Sequence, residues 1–252
     1  MTDQPIRPKP SDITHGMVLA AGLGERMRPL TDNIPKPLLE VHGESLLNHA
    51  LNRLEDAGVT HAVVNAFYLA DMIREHLAAR PSPYITLSVE DERLETGGGI
   101  KKALPLLGTR PFYVVNGDAL WLNGPTNALL RMAAIWDDQS MDALLLLHST
   151  VDAYGYRGLG DFMCEPDGRL TRRPEQTVSP FLFTGIQILH PRLFDQAPDG
   201  VYSLNLLYDQ AIGNNRLFGV VHDGEWFHIG TPKGLYDAEA YMQKRYAGRQ
   251  RR

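Results

Sequence analysis

The sequence predicts an α/β fold: a mixed, mostly parallel sheet flanked by helices. Two observations carry this. Short apolar runs alternate in the first half of the chain with segments whose apolar residues recur at helical spacing, the pattern of strand–helix–strand units. Three of the runs also lead into loops rich in glycine or charge, at 20–24, 90–99 and 116–118. Ligands of such sheets sit beyond the carboxyl ends of the strands, so these loops are expected to share one crevice.

In chain order, an apolar strand opens the stretch 17–39. Residues 45–57 (SLLNHALNRLEDA) have helical periodicity and stop at Gly58. A buried strand follows at 61–66, a helix at 69–79, an alternating strand at 84–89 and a helix from 96 up to Pro105. The run 112–115 (FYVV) reads as a buried strand, 125–136 as a helix and 143–147 (ALLLL) as a strand. The pattern then changes. Residues 160–170 read as a hairpin turning at Pro166-Asp167-Gly168, 181–189 as a strand and 204–212 as a helix. Strands at 217–221 and 225–229 precede a last helix over 232–246, with Pro232 in its first turn. We read residues 1–14 as a flexible arm and 15–252 as one domain, with a nucleotide-binding half at 15–148 and an acceptor half at 149–246.

At 252 residues, 43% hydrophobic and 22% charged, the chain has the composition of a soluble globular protein. A net charge of −5 gives no global attraction to nucleic acid or anionic membrane. The single cysteine, Cys164, excludes an internal disulfide. The N-terminus is polar and proline-rich, and no run approaches the roughly 18 apolar residues of a membrane span. A cytoplasmic location is expected.

The stretch 17–39 (MVLAAGLGERMRPLTDNIPKPLL) organises the rest. Gly22 and Gly24 allow backbone amides to approach phosphate oxygens, and Arg26, Arg28 and Lys36 supply positive charge, so a polyphosphate ligand is expected. A solvated basic loop is the alternative for these cations. The third glycine of a dinucleotide fingerprint is missing after Gly24, and G-K-S/T occurs nowhere.

The pattern L-A-A-G-x-G-x-R-x-x-P-x-T, followed by P-K-P-L at 35–38, closely resembles the signature of the sugar-1-phosphate nucleotidyltransferases. The likeness extends from Met17 to about Tyr241. It implies a Rossmann-like fold of the nucleotide-diphospho-sugar transferase type. It also implies that Leu19, Ala20, Ala21, Gly22 and Gly24 contact base and phosphates, while Arg26 and Lys36 grip the triphosphate.

Glu95-Thr96-Gly97-Gly98-Gly99 lies before a helix and matches the family's second motif; amides there would face an anion or a ring hydroxyl, although a triple glycine can be only a tight loop. Glu90 falls near the family's base-reading position. Asn116-Gly117-Asp118 follows a buried strand, where the aspartate can enter the crevice and hold Mg²⁺; such a turn otherwise closes a hairpin. The segment 226–232 (WFHIGTP) resembles the family's W-x-D-x-G-T-P, whose aspartate is the second metal ligand. This chain has His228 there, a side chain that suits softer metals than magnesium or simply packs at a strand end. Arg173 stands where the family places a sugar-phosphate lysine, and is otherwise half of a surface basic pair with Arg172. Thr184 and Gly185 fall on the family's sugar-supporting strand. Asn205 would bond acceptor hydroxyls or cap its helix.

The resemblance implies a metal-dependent enzyme, using Mg²⁺ or Mn²⁺, that joins a nucleoside triphosphate to a sugar 1-phosphate and releases pyrophosphate. No nucleic-acid or membrane partner is expected, and the protein would be a monomer or small homo-oligomer. The LETGGGI sequence, the GDF hairpin and the FTGIQILHP run are most similar to uridylyltransferases that act on N-acetylmuramic acid 1-phosphate in cell-wall recycling. Guanylyltransferases for mannose 1-phosphate are the alternative within the family. A nucleotide-binding regulatory protein without turnover is the alternative from another class, and His228 is the residue that favours it.

Overall fold

In the computed structural model, which describes residues 12–247, β1 (His15–Leu19) lies inside the main sheet and is covered on both faces. Its Met17 and Val18 are fully buried, each joining a different hydrophobic cluster. The expected arm at 1–14 falls mostly outside the described residues, and the chain has already entered the fold at Ile13, which is buried at 6% exposure in the core.

A two-strand ribbon, β2 (Glu40–Val41) and β3 (Glu44–Ser45), leads into α1 (Leu46–Asp56), whose Ser45 side chain caps the Asn48 amide. Then come β4 (His61–Ala66), α2 (Ala70–Ala78), β5 (Tyr84–Val89) and α3 (Glu95–Leu107). Helix α3 passes through Pro105 instead of stopping there, because its last turn brings Leu107 into the core beside Ala103. Strands β6 (Phe112–Asn116) and β7 (Leu120–Leu122), helix α4 (Ala128–Ile135) and β8 (Ala143–Ser149) complete the first half. The start of α4 is three residues later than expected, since Asn127 provides the cap by accepting from the Leu129 and Leu130 amides.

The second half contributes β9 (Phe162–Cys164), β10 (Leu170–Arg172), β11 (Phe181–Leu189), α5 (Asn205–Gly213), β12 (Leu217–Val221), β13 (Glu225–Phe227) and α6 (Pro232–Tyr246). The main sheet runs β5-β4-β1-β6-β11-β8-β12, with the β9–β10 hairpin attached to the start of β11. All neighbours in that row are parallel except around β11, which is antiparallel to both β6 and β8. Strand β13 does not join this sheet and pairs with β7 instead. It stops at Phe227, two residues before the expected end, because the His228 amide turns to bond the Tyr154 carbonyl.

The triple glycine of α3 is a packing device. A Cβ at Gly97 would lie 2.3 Å from the Tyr202 ring, and one at Gly98 would lie 2.1 Å from the Gly200 carbonyl oxygen. The Gly97 and Gly98 amides both donate to the Tyr202 carbonyl, at 3.0 and 3.2 Å. The second half of the chain thus caps a helix of the first. A Gly98→Ala variant is expected to lose about 1–3 kcal/mol of stability through overpacking, read as a lower urea midpoint with an unchanged slope.

His222 follows β12 and has an inaccessible side chain, with Nε2 3.1 Å from the Leu122 carbonyl oxygen. Burial pushes its pKa down to about 4. The unfolded chain therefore takes up a proton near pH 6.5 that the native protein refuses until about pH 4. Stability should fall across that window, by at most about 3 kcal/mol from this group, and level off below it. Urea melts at pH 7, 5.5 and 4 should show a shallower decline for His222→Gln than for the parent protein.

Candidate active site

Two adjoining depressions lie beyond the carboxyl ends of β1, β4 and β6, the edge where the three loops were expected to meet. The first, about 250 Å³, is lined by Leu19, Ala21, Gly22, Gly24, Lys36, Pro37, Asn65, Arg93, Glu95, Thr96, Asn116, Gly117 and Asp118. The second, about 370 Å³, is formed by residues 22–27 with Lys36, Arg93, Asp118 and Gly230. Most of the expected donor-site residues are thus brought together, Arg26 among them.

The loop is held from behind. Asn65, buried at the end of β4, accepts from the Ala20 amide through Oδ1 at 2.8 Å. Its Nδ2 donates to Glu90 Oε1 at 2.6 Å, and Glu90 Oε2 accepts from the Leu94 amide at 3.0 Å. Glu90 is 4% exposed and absent from the lining of either depression. In this structure its two oxygens are engaged by Asn65 and the Leu94 amide, and it braces the 90–94 loop from behind. Gly24, at φ 65°, turns the chain so that its carbonyl accepts from the Met27 amide and the Thr31 hydroxyl, both at 2.8 Å. Gly22 has open space where a Cβ would stand, so its backbone is exposed to a ligand.

Lys36 reaches Asp118 with Nζ 2.5 Å from Oδ2. The lysine side chain is 11% exposed and the carboxylate 39%, so the ammonium is packed while the carboxylate opens into the cleft. Arg26 is exposed in the 3₁₀ turn Glu25–Met27 and has no carboxylate partner among the described residues. His228 is half-buried, edge-on to Tyr156, with ring centroids 5.9 Å apart. Burial, then Lys36 and Arg26, pull its pKa below the ordinary imidazole value, and Asp118 opposes them. The ring is neutral near pH 7.

No cluster of three or more acidic, histidine or cysteine side chains suited to a metal occurs among the described residues. Glu225 bonds Tyr241 and Arg245, and Asp223 pairs with Arg131 at 2.6 Å, so neither joins Asp118. One open carboxylate fits a magnesium-type ion that arrives with phosphate oxygens and water, which complete its shell; it does not make a preformed cage.

Several expected contacts are committed elsewhere. Gly97 spends its amide on Tyr202. Thr184 is 2% exposed and donates its hydroxyl to the Leu146 carbonyl at 2.6 Å, away from any rim. Gly185, at φ 80°, backs the wall instead: a Cβ there would stand 2.7 Å from Asn116 Nδ2. Arg173 donates to the carbonyls of Gly160, Pro174 and Thr177 and so ties the 160–177 loop together. Asn205 accepts from Arg172 at 3.1 Å and donates to Ser203. Two lining residues escaped sequence reasoning. Asn65 carried a signal, a polar side chain inside an apolar strand. Arg93 carried none.

Comparisons with known proteins give the family. The family model described as nucleotidyl transferase matches residues 15–245. An N-acetylmuramate alpha-1-phosphate uridylyltransferase of Caulobacter vibrioides is 42% identical over 231 residues, covering 90% of this chain and 96% of the relative. That of Neisseria meningitidis is 39% identical, with 89% and 96% covered. A mannose-1-phosphate guanyltransferase of Xenopus laevis is more distant, at 27%, and this chain spans 61% of it. Among solved structures, UDP-glucose pyrophosphorylase complexed with UDP-glucose superposes with a TM-score of 0.76 at 18% identity, covering 92% of this chain and 99% of that one, a likeness of fold. With the signature loop, the Lys36–Asp118 pair and a family match along nearly its whole length, the chain belongs to the nucleotidyl transferase family.

Proposed function

We propose that the protein condenses UTP with N-acetylmuramic acid 1-phosphate to give the UDP-sugar and pyrophosphate. The observation that carries the reading is the pairing of a nearly full-length likeness to two such uridylyltransferases with a cleft of matching chemistry. In the reaction a phosphate oxygen of the sugar phosphate attacks the α-phosphorus. The new P–O bond forms as the bond to the β-phosphate breaks, and pyrophosphate leaves with that electron pair. Lys36 and Arg26 neutralise the phosphates. Asp118 fixes the ammonium in place, so alignment requires little reorganisation. The open carboxylate of Asp118 would hold a divalent ion, Mg²⁺ or Mn²⁺, which when bound supplies further charge neutralisation. We infer that turnover is metal-dependent and takes place in the cytoplasm, in service of cell-wall recycling.

Pyrophosphate release over a matrix of UTP, GTP, CTP and dTTP with N-acetylmuramic, N-acetylglucosamine, mannose and glucose 1-phosphates tests this. Turnover confined to UTP with the muramic acid derivative is expected. Triphosphate binding with no release in any combination would support a binding protein, the reading His228 favours. Lys36→Ala should lower turnover about 10²-fold or more, in line with loss of one preorganised charge contact, as read by initial rates at saturating substrate. His228→Asp would add the second carboxylate. The Mg²⁺ concentration for half-maximal rate and the Mn²⁺ dissociation constant should both fall severalfold. Unchanged values in both Asp and Ala variants would remove His228 from the metal's surroundings.

A further inference from the structure

Arg93 is a cation that neither the sequence pattern nor the reaction scheme above uses. We propose that it is the opposite-wall cation for the β- and γ-phosphates of the donor, held on Glu95 until they arrive. The inference rests on the nucleotidyltransfer reading and adds a residue to it.

Five residues line both depressions: Gly22, Gly24, Lys36, Asp118 and Arg93. The first four belong to the signature loop or the end of β6, and Arg93 alone of them comes from the loop between β5 and α3. It therefore lines the same space as the signature loop from a different segment of the chain, and Arg26 lines the second depression with it. The backbone beneath it is fixed on both sides. Leu94 donates to Glu90 and accepts from the Tyr202 amide at 3.3 Å, and Gly97 and Gly98 donate to the Tyr202 carbonyl.

Arg93 is held in an ion pair, Nη2 to Glu95 Oε1 at 2.7 Å, with the two side chains 48% and 38% exposed. Pairs this exposed are weakly held, so a polyphosphate can displace the carboxylate and take the planar guanidinium in a bidentate contact. Glu95 sits at φ 61°, a left-handed conformation unusual for a residue with a side chain, and it lines the first depression. Lys36 is already shared with Asp118, so a polyphosphate entering the cleft has Arg26 and Arg93 as its unshared or weakly shared cations.

The test compares affinity for UTP and for UMP by calorimetry in the intact protein with Mg²⁺ present. Arg93→Ala should weaken UTP binding about tenfold and leave UMP within twofold, because UMP lacks the β- and γ-phosphates. Inorganic pyrophosphate as a product inhibitor should weaken in parallel. Arg93→Lys should fall between, keeping charge and losing the fork. Glu95→Gln, which removes the competing carboxylate, should tighten UTP binding severalfold. Equal weakening of UTP and UMP in Arg93→Ala would reveal a merely structural pair and overturn the proposal, as would unchanged affinity for both. A parent protein that ignores UTP but binds GTP overturns the choice of base, and the GTP-to-GMP ratio then judges Arg93 in the same way.

Discussion

The Gly117 amide donates to the Leu19 carbonyl at 2.8 Å, and a Cβ at Gly117 would stand 2.7 Å from that same oxygen. This contact pulls the ends of β1 and β6 together at the point where both strands deliver their loops. The loop after β1 carries the amides and the cations, and the turn after β6 carries Asp118. Once the strand ends are pinned, Lys36 comes within an ion pair of Asp118. Asn65 on β4 then fixes the height of the loop through the Ala20 amide. Three neighbouring parallel strands thus set the cleft through one backbone bond, one side-chain bond to backbone and one ion pair.

The donor side was legible in the sequence because its constraints are local. Apolar runs marked the strands, Gly22 and Gly24 marked a backbone open to a ligand, and Arg26, Lys36 and Asp118 fell on signature positions. What was not legible depends on packing between distant segments. Nothing near Gly97–Gly98 says that Tyr202 will arrive to take their amides, so an apparent anion site is a helix cap. Nothing near Glu90 says that Asn65 and Leu94 will occupy both of its oxygens. In the second half, Arg173 looks like a ligand-binding cation by position, yet its Nε and Nη1 donate to three backbone carbonyls. Strand β7 was missed because Leu120–Leu122 is too short to show a period, and only its pairing with β13 makes it a strand.

His228 shows how a motif departure can be absorbed without disrupting the fold. The imidazole packs beside Tyr156 and Trp226, and a Cβ at Gly230 would lie 2.4 Å from its Nε2. Glycine at 230 therefore makes room for the larger ring. With Lys36 and Arg26 nearby, a carboxylate at 228 would neutralise positive charge that the imidazole leaves in place.

Strand β11 belongs to the second half of the chain yet lies between β6 and β8 of the first, antiparallel to both. The boundary near residue 148 therefore marks a change of role and not a seam along which the protein separates. A fragment ending there would leave one apolar edge of β6 bare and β8 without either of its neighbours, with rows of unpaired amides and carbonyls inviting strands from other molecules. During synthesis the same hazard persists until β11 has emerged and inserted. Separating the two halves would thus expose pairing edges as well as divide the cleft.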